Sequence, residues 1–174
     1  PSELLRIFSA AIELDLPVGL RTMDIIAELA AQSGEALRSD PEAHRRFLDV
    51  LSDVRDRGTP SLLDQMNDVG LISALIPEWE PVRGRVQHDV YHVYTVDQHS
   101  LYSVAMLKAL IRKEHIDQYP WYTEEAPRLE RPQLMYFALL LHDIGKPLGK
   151  NHSARGAALA ARVSERFGFT HGDA

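Results

Sequence analysis

The sequence predicts an all-α protein, and two kinds of pattern carry this prediction. Apolar side chains recur every three or four residues along most segments, which is the spacing of the buried face of a helix. Helix-start signals, in which a capping side chain precedes proline, stand at Asp40-Pro41 and Thr59-Pro60. Proline and glycine also mark breaks between the apolar stripes, for example at Pro17 and Gly19.

The composition narrows the class of protein. A chain of 174 residues is long enough for one domain with a helical extension, and its net charge of −6 argues against a nucleic-acid partner, which usually meets a basic face. The lack of cysteine excludes disulfides and thiolate metal sites, and the longest apolar runs, such as residues 137–141, are too short to span a bilayer. We therefore expect a cytoplasmic protein with no membrane partner and, because it starts at Pro1, a piece of a longer chain.

The first half of the chain contains four predicted helices. The first follows a cap at Ser2, the second a cap at Thr22, the third starts at Asp40-Pro41, and the fourth starts at Thr59-Pro60 and closes at Gly70. Their apolar stripes are Leu4, Leu5, Phe8 and Ile12, then Ile25, Ile26 and Leu29, then Phe47, Leu48, Leu51 and Val54, and last Leu62, Leu63, Met66 and Val69. Such stripes can form partner grooves, but core packing is far commoner, and we interpret them as core.

The middle of the chain has a different character. Residues 87–100 hold three histidines, two aspartates and two tyrosines, which is a high density of groups that bind metals or anions. Thr95 with Gln98 three positions later fits a capping box, so we predict a helix over residues 96–112. His99 then lies in the first turn of this helix and is expected to face inward.

The last third of the chain predicts two more helices. Residues 113–131 are polar and contain two prolines, so we predict a long loop there. A helix then starts at Arg131-Pro132 and ends in the pair His142-Asp143, where Gly145 can release the helix. The final helix, which follows His152, is rich in small residues that permit close packing.

Histidine and aspartate residues from these segments form the candidate site: His99, His142, Asp143 and His152. Such donors without cysteine suit a catalytic divalent ion, Mn²⁺ or Mg²⁺ first and Fe²⁺ or Zn²⁺ as alternatives, rather than a closed structural zinc site. Lys146 can hold a phosphate oxygen as a point charge, or it can be a solvated cation at a helix end. The histidines expected on the surface are His44, His115 and His171.

These residues carry a resemblance to a known family. The pattern of His99 followed later by the run LLHDIGK resembles the HD superfamily of metal-dependent phosphohydrolases. A longer resemblance covers nearly the whole chain and is to the bifunctional uridylyltransferase/uridylyl-removing enzymes of the PII nitrogen-signalling protein. The stretches that carry it are PSELLRIFSAA, PEAHRRFLDVL, IPEWEPVRGRVQ, QHDVYHVYTVDQHS and NHSARGA.

The resemblance implies a fold and a reaction. Residues 81–174 would form an HD-domain helical bundle, and residues 1–80 a helical extension that follows a nucleotidyltransferase domain in the family. The HD domain of that family hydrolyses the phosphodiester that joins UMP to a tyrosine of uridylylated PII, so PII would be the substrate partner.

The resemblance also implies roles for single residues. His99, His142 and Asp143 match the metal ligands, and His152 matches an additional histidine of some HD enzymes. Independently of the resemblance, the position of Lys146 just past the His142-Asp143 pair leads us to expect that its charge helps to stabilise the transition state. His92 and Asp97 lie in the family motif and are assigned to the surroundings of the ligands, where His92 packs beside the site and Asp97 orients a ligand histidine or favours the helix start.

Two departures from the family pattern leave other interpretations open. HD enzymes use a further aspartate on a later helix, and Asp173 is not assigned that role, so we expect the HD domain to be cut short. The transferase motif and the small-molecule-sensing domains are absent from this sequence, so we expect neither UMP addition nor glutamine sensing. The alternative function is a catalytically incomplete HD module that binds nucleotide or regulates a neighbouring nucleotidyltransferase domain. A weaker alternative, the HD domain of a tRNA-processing nucleotidyltransferase, is disfavoured by the acidic charge and by the YHVYTVDQH stretch.

Overall fold

The computed structural model describes residues 2–86 and 94–170, and within these ranges the regular structure is helical, with no strand. The prediction of an all-α fold is confirmed. The α-helices are α1 Glu3–Leu14, α2 Leu20–Arg38, α3 Pro41–Ser52, α4 Leu62–Asp68, α5 Leu71–Leu75, α6 Val96–Ile111, α7 Pro120–Glu125, α8 Pro132–Leu141 and α9 His152–Arg166. Short 3₁₀ helices cover Pro77–Val82, Ala126–Arg128 and Lys146–Leu148.

Helix α3 is the element that joins the two halves of the chain. It packs on α1 on one side and on α8 on the other, and α8 in turn packs on α6 and α9. Fully buried aromatic side chains from both halves, including Phe8, Phe47, Trp79 and Phe137, therefore belong to one hydrophobic core. The candidate site lies where α6, α8 and α9 come together, and α3 supports α8 from behind.

Helix α3 starts where its sequence signal predicts. Asp40 is its N-cap, and the Asp40 carboxylate accepts a hydrogen bond from the backbone N–H of Glu42 at 3.0 Å. Pro41 occupies the first helical position, where the missing N–H costs nothing. The predicted starts of α6 and α8 are also confirmed, at Val96 and Pro132, although neither N-cap side chain makes a capping hydrogen bond.

The predicted start of α2 is wrong by one turn. The helix begins at Leu20 after Gly19, so Thr22 lies inside it and does not cap it. The predicted apolar stripe is also wrong in part, because Ile25 is 57% exposed while Ile26 is fully buried. The buried side of α2 that packs on α5 is narrower than its sequence pattern indicates.

The predicted start of α4 at Thr59-Pro60 is also wrong. The helix begins at Leu62, and Ser61 caps it through a reciprocal capping box. The Ser61 hydroxyl accepts from the Asp64 N–H at 3.0 Å, and the Asp64 carboxylate accepts from the Ser61 N–H at 2.9 Å. Two satisfied donors outweigh the proline signal two residues earlier.

The expectation that His44 lies on the surface is wrong. Its side chain is buried on α3 and stacks on Phe167, with ring centroids 4.3 Å apart. Burial is the main reason why the pKa of His44 is lowered, and the nearby Arg166 guanidinium lowers it further. The partner ring comes from the end of α9, so local polarity in the sequence gave no sign of it.

The predicted loop over residues 113–131 contains regular structure. Helix α7 starts at Pro120, and a 3₁₀ turn follows at Ala126–Arg128. Thr123 of α7 is fully buried and its hydroxyl donates to the Tyr119 carbonyl at 2.8 Å, which ties the helix start together. In the described part of the chain, no helix is both long enough and apolar enough to cross a membrane.

Candidate metal centre

Helix α6 delivers His99 to the site. Thr95 is its N-cap as predicted, but the Thr95 side chain makes no cap hydrogen bond, so the predicted capping box is wrong. The His99 N–H donates to the Thr95 carbonyl at 2.9 Å and so places the residue in the first turn. The His99 side chain is 40% exposed and lines an open groove rather than pointing into the core.

The C-terminal end of α8 delivers the pair His142-Asp143. The Nδ1 atom of His142 lies 2.7 Å from the Leu139 carbonyl oxygen. Because a carbonyl oxygen only accepts, Nδ1 carries the hydrogen and Nε2 is left as the atom that can bind a metal. The main chain of α8 therefore sets both the tautomer and the ring orientation of His142.

Three basic groups converge on one oxygen of Asp143. Its Oδ2 atom lies 2.8 Å from Lys146 Nζ, 3.2 Å from His142 Nε2 and 3.7 Å from His99 Nε2. The Asp143 and Lys146 side chains are mostly buried, at 16% and 14% exposure. The Asp143 oxygen and the two imidazole nitrogens can act together as ligands, while the Lys146 ammonium offsets part of the carboxylate charge.

The donor set fits a divalent ion. Ligand atoms of His99, His142 and Asp143 all lie within 4.8 Å of one another, and within the described ranges they form a possible metal site. Ligands bound to one ion at about 2.1 Å and at right angles are roughly 3 Å apart. The spacing of 3.2 Å between His142 Nε2 and Asp143 Oδ2 is close to that value. Without a cation, that pair would bring two acceptor atoms together.

His152 stands apart from this group. It is the first residue of α9, it is exposed, and it lines a cavity of about 430 Å³ together with His142, Asp143 and Lys146. The set of mutually close ligand atoms in the described part of the chain does not include it. The structure thus brings His152 to the same cavity as the other three residues. Its role as a metal ligand remains a prediction.

Gly145 positions α9 through its lack of a side chain. Its φ of −81° is ordinary right-handed backbone, and helix α8 has already ended at Leu141, so the end of the helix does not depend on a left-handed glycine. A Cβ atom on Gly145 would lie 2.6 Å from the Cα of Gly156 and would also clash with the carbonyl oxygen of His152. The turn after Asp143 therefore packs backbone against backbone on α9, as the small residues of the last helix predict.

Two concavities meet at the cluster. The cavity between α8 and α9 borders His142 and Asp143. A second groove of about 730 Å³ lies between α6, α7 and α8 and borders His99. The residues that line the groove are mostly aromatic and apolar, with Tyr94, Tyr102, Trp121 and Tyr122 all more than half exposed.

Asp97 is buried on the other side of the α6 start. Its Oδ2 atom accepts a hydrogen bond from Asn67 Nδ2 at 3.0 Å, and Asn67 Oδ1 accepts from Trp79 Nε1 at 2.8 Å. Burial by itself would raise the pKa of Asp97, but hydrogen bonds from Thr95, Gly84 and Asn67 outweigh it and lower the pKa. Asn67 and Trp79 were not among the predicted site residues, because nothing local in the sequence marks an asparagine 30 positions from its partner. His92, the other residue predicted beside the site, lies outside the described residues.

Comparisons with known proteins agree with this geometry. Residues 96–173 match the family model of the HD domain. The chain is 34% identical over 171 residues to the bifunctional uridylyltransferase/uridylyl-removing enzyme of Azospirillum brasilense, which is 98% of this chain and 18% of that enzyme. It is 37% identical over 167 residues to the enzyme of that name from Cereibacter sphaeroides, and 35% identical over 168 residues to the one from Methylococcus capsulatus.

The match covers nearly all of this chain and little of its relatives. The chain spans less than a fifth of the length of the Azospirillum brasilense and Cereibacter sphaeroides enzymes, at 18% of each. No solved structure gives a significant match.

Proposed function

We propose that this chain hydrolyses the phosphodiester joining UMP to a tyrosine of uridylylated PII. Two findings support the proposal: residues 96–173 match the HD domain, and nearly the whole chain is related to uridylyl-removing enzymes. HD domains are metal-dependent, which supports a metal-dependent hydrolase role. We further propose uridylylated PII as the substrate and nitrogen regulation as the process that the reaction serves. A cytoplasmic location stays a prediction.

The observation that carries the proposal is the convergence of His99, His142 and Asp143 from two helices. We assign these three residues as metal ligands, in agreement with the HD match, and we keep His152 as a candidate for a further ligand on the cavity wall. When bound, a divalent ion supplies an activated water and neutralises charge on a phosphoryl oxygen. Mn²⁺ and Mg²⁺ remain the first candidates and Fe²⁺ and Zn²⁺ the alternatives.

The chain's own residues prepare the site for an anionic substrate. The Asp143 carboxylate holds the Lys146 ammonium at the wall of the α8–α9 cavity. From there Nζ can turn to a phosphate oxygen and stabilise the charge that develops during hydrolysis. The hydrogen bond between His142 Nδ1 and the Leu139 carbonyl fixes the orientation of the His142 ring.

The two concavities support a diester as the substrate. Phosphorus in a diester carries two organic groups, and the cluster has a concave surface on each of two sides. A monoester would need only one of them. This shape is consistent with a nucleotide joined to a polypeptide.

The test is UMP release from uridylylated PII by the purified chain with Mn²⁺. We expect release that stops with a chelator and falls by more than about 100-fold in Asp143→Ala, since loss of even a group behind a ligand typically costs about 10- to 100-fold. A matched control is Asp117→Ala, an exposed aspartate outside the site. Equal release by Asp143→Ala and wild type would contradict the proposal. Mn²⁺ binding with no release would instead favour a module that binds nucleotide or regulates a neighbouring domain.

A further inference from the structure

A buried relay of side chains ties the first half of the chain to the start of α6. Trp79 Nε1 donates to Asn67 Oδ1 at 2.8 Å, and Asn67 Nδ2 donates to Asp97 Oδ2 at 3.0 Å. The three residues are at most 3% exposed, so water does not compete for these hydrogen bonds. Asn67 comes from α4, Trp79 from the 3₁₀ turn Pro77–Val82, and Asp97 from α6.

The chemistry of the relay allows one arrangement only. An indole N–H can only donate, and a carboxylate can only accept. The Asn67 amide must therefore present its oxygen to Trp79 and its nitrogen to Asp97. No flipped amide satisfies both neighbours, so the relay fixes the Asp97 side chain against the core.

Asp97 and His99 occupy opposite sides of the same helical turn. Two positions along an α-helix correspond to a rotation of about 200°. Asp97 consequently faces the core while His99 faces the groove and the cluster. The adjacent Val96 N–H donates to the Arg85 carbonyl at 3.0 Å, which fixes the same turn a second time.

We propose that Asn67 and Trp79 are positioning residues for His99, and that through Asp97 they hold the first turn of α6 at the rotation that keeps His99 in the metal cluster. This inference rests on the proposed function, because it takes His99 as a metal ligand. It assigns part of the metal centre to the first 80 residues, which the sequence presents only as a helical extension.

The same helix offers a matched control. Lys108 of α6 also reaches into the first half of the chain, where its ammonium lies 3.1 Å from Asp56 Oδ2 and donates to the Val50 carbonyl at 3.4 Å. This tie is as buried as the relay, but Lys108 lies nine positions beyond His99, about 14 Å along the helix axis. A merely structural role predicts similar effects from breaking either tie.

The experiment is a Mn²⁺ titration followed by electron paramagnetic resonance on wild type, Asn67→Leu, Trp79→Phe and Lys108→Met. We expect Asn67→Leu to weaken Mn²⁺ binding by about 10-fold or more, in the range seen for groups that support metal ligands. Trp79→Phe keeps an aromatic ring but removes the donor and part of the buried indole volume, so we expect a weakening of about 3-fold. Lys108→Met should stay within about 2-fold of wild type although it unfolds more easily.

Each outcome decides the inference. Mn²⁺ affinity that is unchanged in Asn67→Leu, or lowered equally in Lys108→Met, overturns it. If Asn67→Leu does not fold, an unchanged affinity in Trp79→Phe overturns it instead. These results differ from failure of the proposed hydrolysis, which shows as Mn²⁺ binding without UMP release and leaves the inference standing. They differ also from failure of the metal-ligand assignment, which shows as no Mn²⁺ binding by wild type or undiminished binding by Asp143→Ala and removes the basis of the inference.

Discussion

Two lysine–aspartate pairs in this molecule have nearly the same length and contrasting surroundings. Lys108 Nζ lies 3.1 Å from Asp56 Oδ2, and both side chains are almost fully buried, at 3% and 2% exposure. Lys146 Nζ lies 2.8 Å from Asp143 Oδ2, and both side chains border a cavity. Distance alone would give the two pairs the same role.

Their other partners separate them. In the core pair, Asp56 also accepts from the Leu62 N–H at 3.0 Å and Lys108 also donates to the Val50 carbonyl, so both groups are used within the fold. In the cavity pair, two imidazoles approach the same carboxylate oxygen that Lys146 contacts. The Lys108–Asp56 pair, whose other partners belong to the fold, therefore acts on stability. The Lys146–Asp143 pair faces two further metal-binding groups at a cavity and is therefore suited to bind a ligand.

The largest expected effect on stability comes from breaking the core pair. Lys108→Met leaves the Asp56 carboxylate buried without its cation, so we expect the free energy of unfolding to fall by about 3 kcal/mol. Urea denaturation measures this change, and Mn²⁺ affinity serves as the second readout. A loss below about 0.5 kcal/mol would mean that the core pair has no structural role.

Breaking the cavity pair should affect the reaction instead. Lys146→Met keeps the aliphatic stem and removes the charge, and we expect UMP release to fall by about 10- to 100-fold, as when one transition-state donor is lost. Mn²⁺ binding should stay equal or become tighter, because the ammonium at Asp143 repels an incoming cation. Lys150→Met, an exposed lysine past the same turn, is the control. Weaker Mn²⁺ binding in Lys146→Met would contradict the comparison.

A smaller effect tests the packing that shapes the cavity. Gly145→Ala forces a Cβ atom against the backbone of α9, and we expect a destabilisation of about 1–3 kcal/mol, as for other overpacked sites. Gly19→Ala is the matched control, since a Cβ there meets no atom within 4 Å. Thermal unfolding followed by circular dichroism measures both variants. Equal melting temperatures would show that the contact between Gly145 and Gly156 relaxes at no cost.

The smallest expected effect is a pH dependence that arises in the core. Burial lowers the pKa of His44 in the folded state, so the unfolded chain binds a proton at higher pH than the folded chain does. The contribution of His44 to stability is therefore present above its unfolded pKa of about 6.5 and is lost as the pH falls toward its lower folded pKa. We expect His44→Gln to flatten the fall in unfolding free energy between about pH 7 and pH 5. An identical slope in wild type and variant would exclude His44 as its source.

The parts of the fold that the sequence could predict are those with local signals. Asp40-Pro41 placed α3 because the cap and the proline act within one turn, and Pro132 placed α8 through the proline alone. The burial of His44 could not be predicted, because Phe167 reaches it only after the chain has folded.

The candidate site shows the same division. Its ligand set could be proposed from a short motif, and the structure brings His99, His142 and Asp143 together. The contact of three basic side chains with one Asp143 oxygen, and the hydrogen bonds through Asn67, depend on tertiary geometry. No spacing in the sequence could therefore predict them.

The most direct test of the comparison is the rise in melting temperature that Mn²⁺ causes in wild type, Asp143→Asn and Lys108→Met. A ligand that binds the folded state alone raises its stability by mass action. We predict that saturating Mn²⁺ raises the melting temperature of wild type and of Lys108→Met by similar amounts and leaves that of Asp143→Asn unchanged. An equal rise in Asp143→Asn, or no rise in wild type, would contradict the assignment of a metal centre to the cavity pair.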